Sequence, residues 1–253
     1  MIPYFSFSEI SIGLITFQVW GLMASLGFLG VSFLFLKEAR KKDINGDYIW
    51  ELLPLLIIAM IVGAKVFYII SNFDVLQDEK NLILSNGGFS LIGGIFFAGI
   101  VFYFYTKLKK INFYKLTDVF VPGAILAIII IRVGCFLVYD HIGQITTLPW
   151  GRVFLDGTIR HPVILYHIAS GLVIFLIICY LKTRQTKEGF LSFVFVFYYV
   201  VSRFLIDFFR CDDSSFCDSR YAGFTYTQWI ILFFLPLIFF LAKRKKCFNK
   251  LIN

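Results

Sequence analysis

Charged residues are scarce in this sequence. Only 16% of the 253 residues are Asp, Glu, Lys or Arg, whereas 59% are hydrophobic and 32 are phenylalanine. A soluble domain has roughly a quarter of its residues charged. A water-soluble globule of this size cannot hide so much apolar side chain, so the sequence predicts a protein embedded in a membrane.

Histidine and cysteine are also sparse, with three and five residues, and neither an HExxH nor a CxxC spacing occurs. The sequence therefore predicts no metal site, and we expect no cofactor. Cys211 and Cys217 fall in one connection between apolar runs. They form a disulfide if that connection lies in an oxidising compartment, or remain free thiols. Both possibilities stay open at this point.

Seven apolar runs have about the 20 residues that a helix needs to cross a bilayer core of about 30 Å. They are Ile10–Leu36, Tyr48–Ser71, Gly88–Tyr105, Leu116–Val138, Pro162–Leu181, Phe190–Phe209 and Thr227–Ala242. These runs predict an all-α fold, a polytopic bundle of seven transmembrane helices forming a single domain over residues 1–253. We expect the connections at about 72–87, 139–161 and 210–226 to form a small outer cap.

Basic residues alternate along the chain. The eight segments outside the runs carry 0, 4, 1, 4, 2, 3, 2 and 5 Lys and Arg residues in chain order. The positive-inside rule then predicts an external N-terminus and a cytoplasmic C-terminus. The net charge of +8 is interpreted as cytoplasmic anchoring at anionic membrane lipids rather than as nucleic-acid binding. No cleavable signal peptide is expected, because Met1–Glu9 lacks a basic segment.

Ionisable residues inside the runs are candidates for function. Arg203 and Asp207 lie four residues apart, so they share a helix face. They form either a simple ion pair or part of a site. Lys65 and Arg210 near the outer ends of their runs either reach the headgroups or bind substrate. Arg132 has no carboxylate three or four positions away, and a lipid phosphate is one partner that suits its guanidinium.

Glycine pairs give a further signal. Gly87-Gly88 and Gly93-Gly94 bracket the segment Phe-Ser-Leu-Ile. Such pairs indicate either close helix packing or a helix start whose backbone approaches a ligand.

Several motifs, taken in order, resemble those of the bacterial prolipoprotein diacylglyceryl transferases. The segment from Ile131 to Gly151 is similar to the family signature G-R-x-G-N-F-x-N-G-E…G…L-P-W-G. The shorter matches are Trp20-Gly21-Leu22-Met23, Gly63-Ala64-Lys65-Val66-Phe67-Tyr68, Arg160-His161-Pro162…Leu165-Tyr166, Arg203-Phe204-Leu205-Ile206-Asp207-Phe208-Phe209-Arg210 and Thr227-Gln228. The resemblance covers nearly the whole chain.

The resemblance implies seven spans in the bacterial inner membrane and a site toward the outer leaflet. It implies transfer of a diacylglyceryl group from phosphatidylglycerol to the lipobox cysteine of a preprolipoprotein, with release of glycerol phosphate. Arg132 and Arg203 would hold the donor phosphate, and Asp207 would orient Arg203. Further residues at matching or neighbouring positions are expected to contact substrate; these are Arg210, Gly143, Tyr68, Lys65, Gly93, Gly94, Cys135 and Asp140.

The sequence departs from the family at chemically important positions. The family histidine after G-G-x-S is Ile92 here, its asparagine is Cys135, and its glutamate after Leu-Tyr is His167. Three hypotheses for the missing base follow: His167 takes the thiol proton, His141 does, or Cys135 itself accepts a group. A related enzyme with a changed lipid reaction, or a non-catalytic phospholipid-binding protein, are the alternative functions.

Overall fold

The computed structural model describes residues 1–13, 15–72, 88–184, 186–212, 217, 220–233 and 236. Within them, six helices are long and apolar enough to cross a membrane. They are α1 (Val19–Lys41), α2 (Gly46–Ser71), α3 (Leu91–Leu108), α4 (Phe113–Leu137), α5 (Val163–Leu181) and α6 (Phe190–Ile206), which continues as a 3-10 turn, Asp207–Phe209. The predicted multi-pass membrane protein is confirmed at this coarser level.

The first predicted span begins too early. The predicted span starts at Ile10, but Glu9–Ile12 and Ile15–Gln18 are the paired strands of a β-hairpin, and α1 starts only at Val19. The reason is local: polar and apolar residues alternate with a period of two here, and Gly13 supplies a positive φ of 63° at the turn. Of the seventh predicted span, residues 227–233 and 236 are helical, and the rest lies outside the described residues.

Short strands add to the helices, so the all-α prediction is correct only in the main. Among the described residues there are three two-stranded antiparallel sheets. They pair β1 (Glu9–Ile12) with β2 (Ile15–Gln18), β3 (Arg152–Val153) with β4 (Ile159–Arg160), and β5 (Arg220–Tyr221) with β6 (Phe224–Thr225). The last two occupy connections predicted to form a cap. The connection at 72–87 lies almost wholly outside the described residues.

The chain divides into two compact units, the first comprising Met1–Leu34 and Phe120–Asn253. In this unit α1 and α4 approach closely through glycines: Cβ atoms at Gly123 and Gly27 would lie 2.9 Å from Val31 and 3.3 Å from Ala127. A buried apolar cluster joins α4, α5 and the start of α6; its members are Val121, Ile125, Ile129, Ile174, Ile178 and Leu191. This packing positions the ends of α4, α5 and α6, where the candidate site lies.

The second unit, Phe35–Val119, is built on the α2–α3 pair. Gly63 of α2 and Gly93 of α3 face each other, and a Cβ on either would overlap the other's carbonyl oxygen. Gly94 is as close to the carbonyl of Met60, at 3.0 Å from a built Cβ. Packing therefore accounts for Gly93 and Gly94 without a ligand, and their predicted contact with substrate stays a prediction.

Candidate active site

The buried carboxylate of Asp207 is shared by two arginines at the end of α6. The side chain is fully buried, and its Oδ1 lies 3.2 Å from Arg203 Nη2 and 4.0 Å from Arg210 Nη1. The i,i+4 spacing of Arg203 and Asp207 predicts this ion pair, and the structure contains it. One buried carboxylate therefore contacts two guanidiniums at the end of this helix.

Residues just beyond α6 hold Asp207 in place. Thr225 Oγ1 donates to Asp207 Oδ2 at 3.4 Å, and Gln228 Nε2 donates to the carbonyl of Phe204 at 2.9 Å. Gln228 and Thr225 also bond each other, since the Thr225 amide donates to Gln228 Oε1 at 2.9 Å. Gln228 was part of a short motif match, whereas Thr225 carried no signal in the sequence.

Arg132 brings a third guanidinium from α4. Arg132 is half-buried. Both Arg132 and Arg210 lie close enough to Arg203 to interact with it electrostatically. Within the described ranges, no carboxylate lies at ion-pair distance from Arg132. Cys135, one turn further along α4, is buried, and its thiol lies near the Arg132 guanidinium and the Trp20 side chain. The guanidiniums of Arg132, Arg203 and Arg210 thus lie close enough together to act on one another, and guanidinium groups are suited to binding phosphate.

His167 of α5 is bound to Arg203. Arg203 Nη1 lies 2.8 Å from His167 Nε2, and both residues are buried. Because a guanidinium only donates, Nε2 must accept, so the imidazole is neutral and its proton is on Nδ1. The lone pair that a general base would use is therefore already engaged by Arg203.

His141 lies between Arg210 and Asp140. Arg210 Nη2 donates to His141 Nδ1 at 3.4 Å, and His141 Nε2 lies 3.5 Å from Asp140 Oδ2. Burial lowers the pKa of His141 to about 4; the Asp140 carboxylate opposes this shift, and Arg210, Arg132 and Arg203 reinforce it. His141 is therefore neutral at physiological pH.

A pH-dependent stability follows from His141. Between about pH 6.5 and pH 4 the unfolded chain takes up a proton at this histidine that the folded chain does not, so stability falls as the pH falls through this window. We expect the Tm of the wild type in detergent to decrease more between pH 7 and pH 4.5 than that of His141→Gln, which keeps an acceptor. Parallel Tm curves for the two proteins would contradict this assignment.

The connection after α4 brings Gly143 beside Arg210, and the two residues form an antiparallel bridge. A Cβ on Gly143 would overlap the carbonyl oxygen of His161, so only glycine fits at this position. Arg160, which is buried, donates to the carbonyl of Gly143 at 3.1 Å. A small cleft opens here, lined in part by Asp140, His141, Gly143, Arg160 and His161.

Cys135, Asp140 and His141 have side-chain ligand atoms within 4.8 Å of one another, and their types are those that bind metals. The surroundings do not suit a cation. Both His141 nitrogens face other groups, and Arg132, Arg203 and Arg210 all act on His141 electrostatically. The positive charge of these three arginines favours an anion over a metal cation beside His141.

Four predicted substrate-binding residues belong to the second unit, namely Lys65, Tyr68, Gly93 and Gly94. Lys65 Nζ lies 5.1 Å from the centre of the Phe89 ring and 5.7 Å from that of Tyr68, which are cation–π distances. Ile92, at the position of the family histidine, is exposed on α3. Substrate contacts at Lys65 and Tyr68 stay predictions.

Arg152 was not singled out from the sequence. Its guanidinium carbon lies 3.8 Å from the centre of the Tyr139 ring, 4.3 Å from that of Phe136 and 4.6 Å from that of Phe5. Its Nη atoms donate to the carbonyls of Phe5 at 2.8 Å and Phe136 at 2.9 Å. This aromatic cage fastens the N-terminal segment to the connection that carries Asp140, His141 and Gly143.

Arg220 was likewise missed. Its Nη2 donates to the carbonyls of Arg210 at 2.9 Å and Phe208 at 3.3 Å, and its Nε lies 3.3 Å from Asp212. Cys211 and Cys217 form a disulfide, which resolves the alternative left open by the sequence. Together these contacts fix the backbone that follows Asp207 and presents Arg210.

Comparisons with known proteins agree on one family. The family model for prolipoprotein diacylglyceryl transferase matches residues 8–242. A Prochlorococcus marinus protein named phosphatidylglycerol–prolipoprotein diacylglyceryl transferase is 30% identical over 275 aligned positions, covering 93% of this chain and 92% of that protein. Proteins of the same name from Streptococcus uberis and Clostridioides difficile are 28% and 30% identical, with 94% and 76% of this chain covered, and 95% and 78% of theirs. This chain belongs to the prolipoprotein diacylglyceryl transferase family.

Proposed function

We propose that this chain transfers a diacylglyceryl group from phosphatidylglycerol to the lipobox cysteine thiol of a preprolipoprotein. The observation that carries the proposal is the arginine cluster of Arg132, Arg203 and Arg210 around the buried Asp207. Family membership and the names of the relatives support the same reaction. The cluster has the charge that a phosphodiester headgroup requires.

The charge balance of the reaction suits these arginines. The acceptor thiolate attacks the glyceryl carbon bonded to the phosphate oxygen; a carbon–sulfur bond forms and the carbon–oxygen bond breaks. The donor phosphodiester carries one negative charge, and the leaving glycerol phosphate carries two. Guanidiniums already aimed at the phosphate stabilise the additional charge as it develops, with little reorganisation. Arg132, free of a carboxylate partner in the described ranges, is the group we assign to the leaving phosphate.

The thiol proton need not go to His167. Its Nε2 accepts from Arg203, so we assign His167 to orienting that arginine. Cationic side chains lower the pKa of a nearby thiol, and the arginine cluster provides such surroundings for an acceptor cysteine. The exposed carboxylate of Asp140 lines the cleft, and we assign it as an acceptor for the thiol proton.

A pair of variants separates the two roles of His167. Gln at this position retains an acceptor for Arg203, whereas Leu has none. We expect His167→Gln to keep turnover within about tenfold and His167→Leu to lose about 100-fold, the scale of a misplaced catalytic group. Initial rates of peptide lipidation in detergent provide the measurement. Equal losses of more than 100-fold in both variants would instead assign His167 as the base.

We also propose seven spans, an N-terminus outside and a C-terminus in the cytoplasm, with the site toward the outer leaflet of the bacterial inner membrane. The alternation of basic residues supports this direction. The disulfide is consistent with an oxidising compartment on the side of residues 211–217. On this topology, residues 139–161 and 210–226 contribute to a small outer cap on a single membrane domain.

The direct test uses the purified protein, phosphatidylglycerol vesicles and a synthetic lipobox peptide. Mass spectrometry should reveal a thioether-linked diacylglyceryl peptide, and free glycerol phosphate should appear in equal amount. A peptide with Ser in place of the lipobox Cys serves as the matched control. Phosphatidylglycerol binding without either product, while a known transferase works alongside, would favour the non-catalytic lipid-binding alternative.

A further inference from the structure

The β1–β2 hairpin has one apolar and one polar face. Its register pairs Ile10 with Phe17 and Ile12 with Ile15, and it pairs Glu9 with Gln18 and Ser11 with Thr16. Because side chains alternate across a strand, Ile10, Ile12 and Phe17 share one face, and Glu9, Ser11, Thr16 and Gln18 share the other. Ser11 and Thr16 hydroxyls lie 3.3 Å apart on the polar face, within hydrogen-bond distance.

In the described part of the chain, the apolar face of this hairpin is exposed. Ile12 is 68% exposed, Phe17 45% and Ile10 43%. An isolated two-stranded hairpin is at best marginally stable in water. A hairpin with such a segregated pattern needs a second apolar surface against which to pack.

Backbone hydrogen bonds join the base of the hairpin to the ends of two membrane helices, α1 and α4. On one side, the amide of Val19, the first residue of α1, donates to the carbonyl of Ser8 at 3.0 Å. The amide of Phe7 donates to the carbonyl of Leu137, the last residue of α4, at 2.8 Å. These bonds hold the base of the hairpin beside the first residue of α1 and the last residue of α4.

We propose that the β1–β2 hairpin lies in the membrane interface, with the face that carries Ile10, Ile12 and Phe17 toward the acyl chains of the bilayer. Exposed Trp20 in the first turn of α1 continues this apolar surface, and Trp is enriched at the interface. The face carries no charged residue, which suits lipid. Glu9, Ser11, Thr16 and Gln18 then face the headgroups and water.

The interfacial hairpin gives α1 and α4 a fixed depth. Because α4 carries Arg132, the depth of that helix sets the height of its guanidinium relative to the phosphate layer. The hairpin thus sets the depth of the anion site in the membrane, and it does so without contacting the substrate.

Spin-label accessibility tests this placement. Ile12→Cys and Phe17→Cys, with Ser11→Cys as the polar-face control, are labelled in a Cys179→Ser, Cys247→Ser background and placed in phosphatidylglycerol–phosphatidylcholine nanodiscs. We expect labels at 12 and 17 to be relaxed by oxygen several-fold more than by a water-soluble nickel complex, and the label at 11 to show the reverse preference. No turnover is required, so the result is independent of the proposed reaction.

Two other results would overturn the proposal. Equal access of nickel at positions 11 and 12 would place both faces in water. Shielding of position 12 from both relaxing agents would mean that protein covers the face. If adding a lipobox peptide changed this shielding, the covering protein would be the acceptor. If raising the protein concentration changed it, the covering protein would be a second copy of this chain.

Discussion

Replacing Arg132 with alanine is expected to lower diacylglyceryl transfer by about 100-fold or more, the loss typical of removing one donor that stabilises transition-state charge. Arg132→Lys should recover only part of this, because an ammonium lacks the planar fork that binds two phosphate oxygens. The readout is the initial rate of thioether formation on a lipobox peptide, followed by mass spectrometry.

Folding should be little affected by this change. No carboxylate pairs with Arg132 in the described part of the chain, so its removal uncovers no buried opposite charge. The Tm of Arg132→Ala in detergent should stay close to that of the wild type. Arg184→Ala is the matched control, since Arg184 is exposed and bonds Tyr180 far from the cluster in sequence. Wild-type turnover in Arg132→Ala would remove Arg132 from the reaction.

The largest loss of stability is expected from Asp207→Ala. The carboxylate is fully buried and contacts both Arg203 and Arg210, and its removal takes away the negative charge that the two guanidiniums share. Removing one partner of a buried ion pair costs about 3–5 kcal/mol of unfolding free energy. Denaturation in mixed micelles with increasing sodium dodecyl sulfate measures the change.

Asp212→Ala is a matched control for this effect. Asp212 also pairs with an arginine, Arg220 at 3.3 Å, but its side chain is 46% exposed. An exposed pair contributes about 0–1 kcal/mol. Adding Arg203→Ala to Asp207→Ala should restore part of the lost stability, because the buried guanidinium 3.2 Å from the carboxylate is then removed with it. Equal losses in Asp207→Ala and Asp212→Ala would contradict the assigned burial.

The helices and the arginine cluster were accessible from the sequence for different reasons. Hydrophobic runs of the required length identify membrane helices whatever their partners, and the i,i+4 spacing of Arg203 and Asp207 joins them on any helix. The hairpin before α1 was missed because Ile10, Ile12 and Phe17 add to the apolar run, which hides their alternation. The length of the apolar run therefore led to the prediction of a helix, although the alternation of polar and apolar residues indicated the strands.

Contacts between distant parts of the chain were not accessible. The Arg152 cage joins rings at positions 5, 136 and 139, and nothing in the residues near Arg152 indicates them. The same holds for His167, whose bond to Arg203 depends on how α5 and α6 pack. The resemblance placed Arg132, Arg203 and Asp207, but the pairing of His167 and His141 with arginines is specific to this chain's own substitutions.

The Arg152 cage also has a consequence for the order of biosynthesis. Phe5 and Arg152 are 147 residues apart in sequence, and the Arg152 side chain donates to the carbonyl of Phe5. At synthesis rates of about 5–20 residues per second, the N-terminal segment waits roughly 10–30 s for its partner to emerge. During that interval the first eight residues have no cage to occupy. A bulky fusion at this end would therefore hinder a late step of maturation.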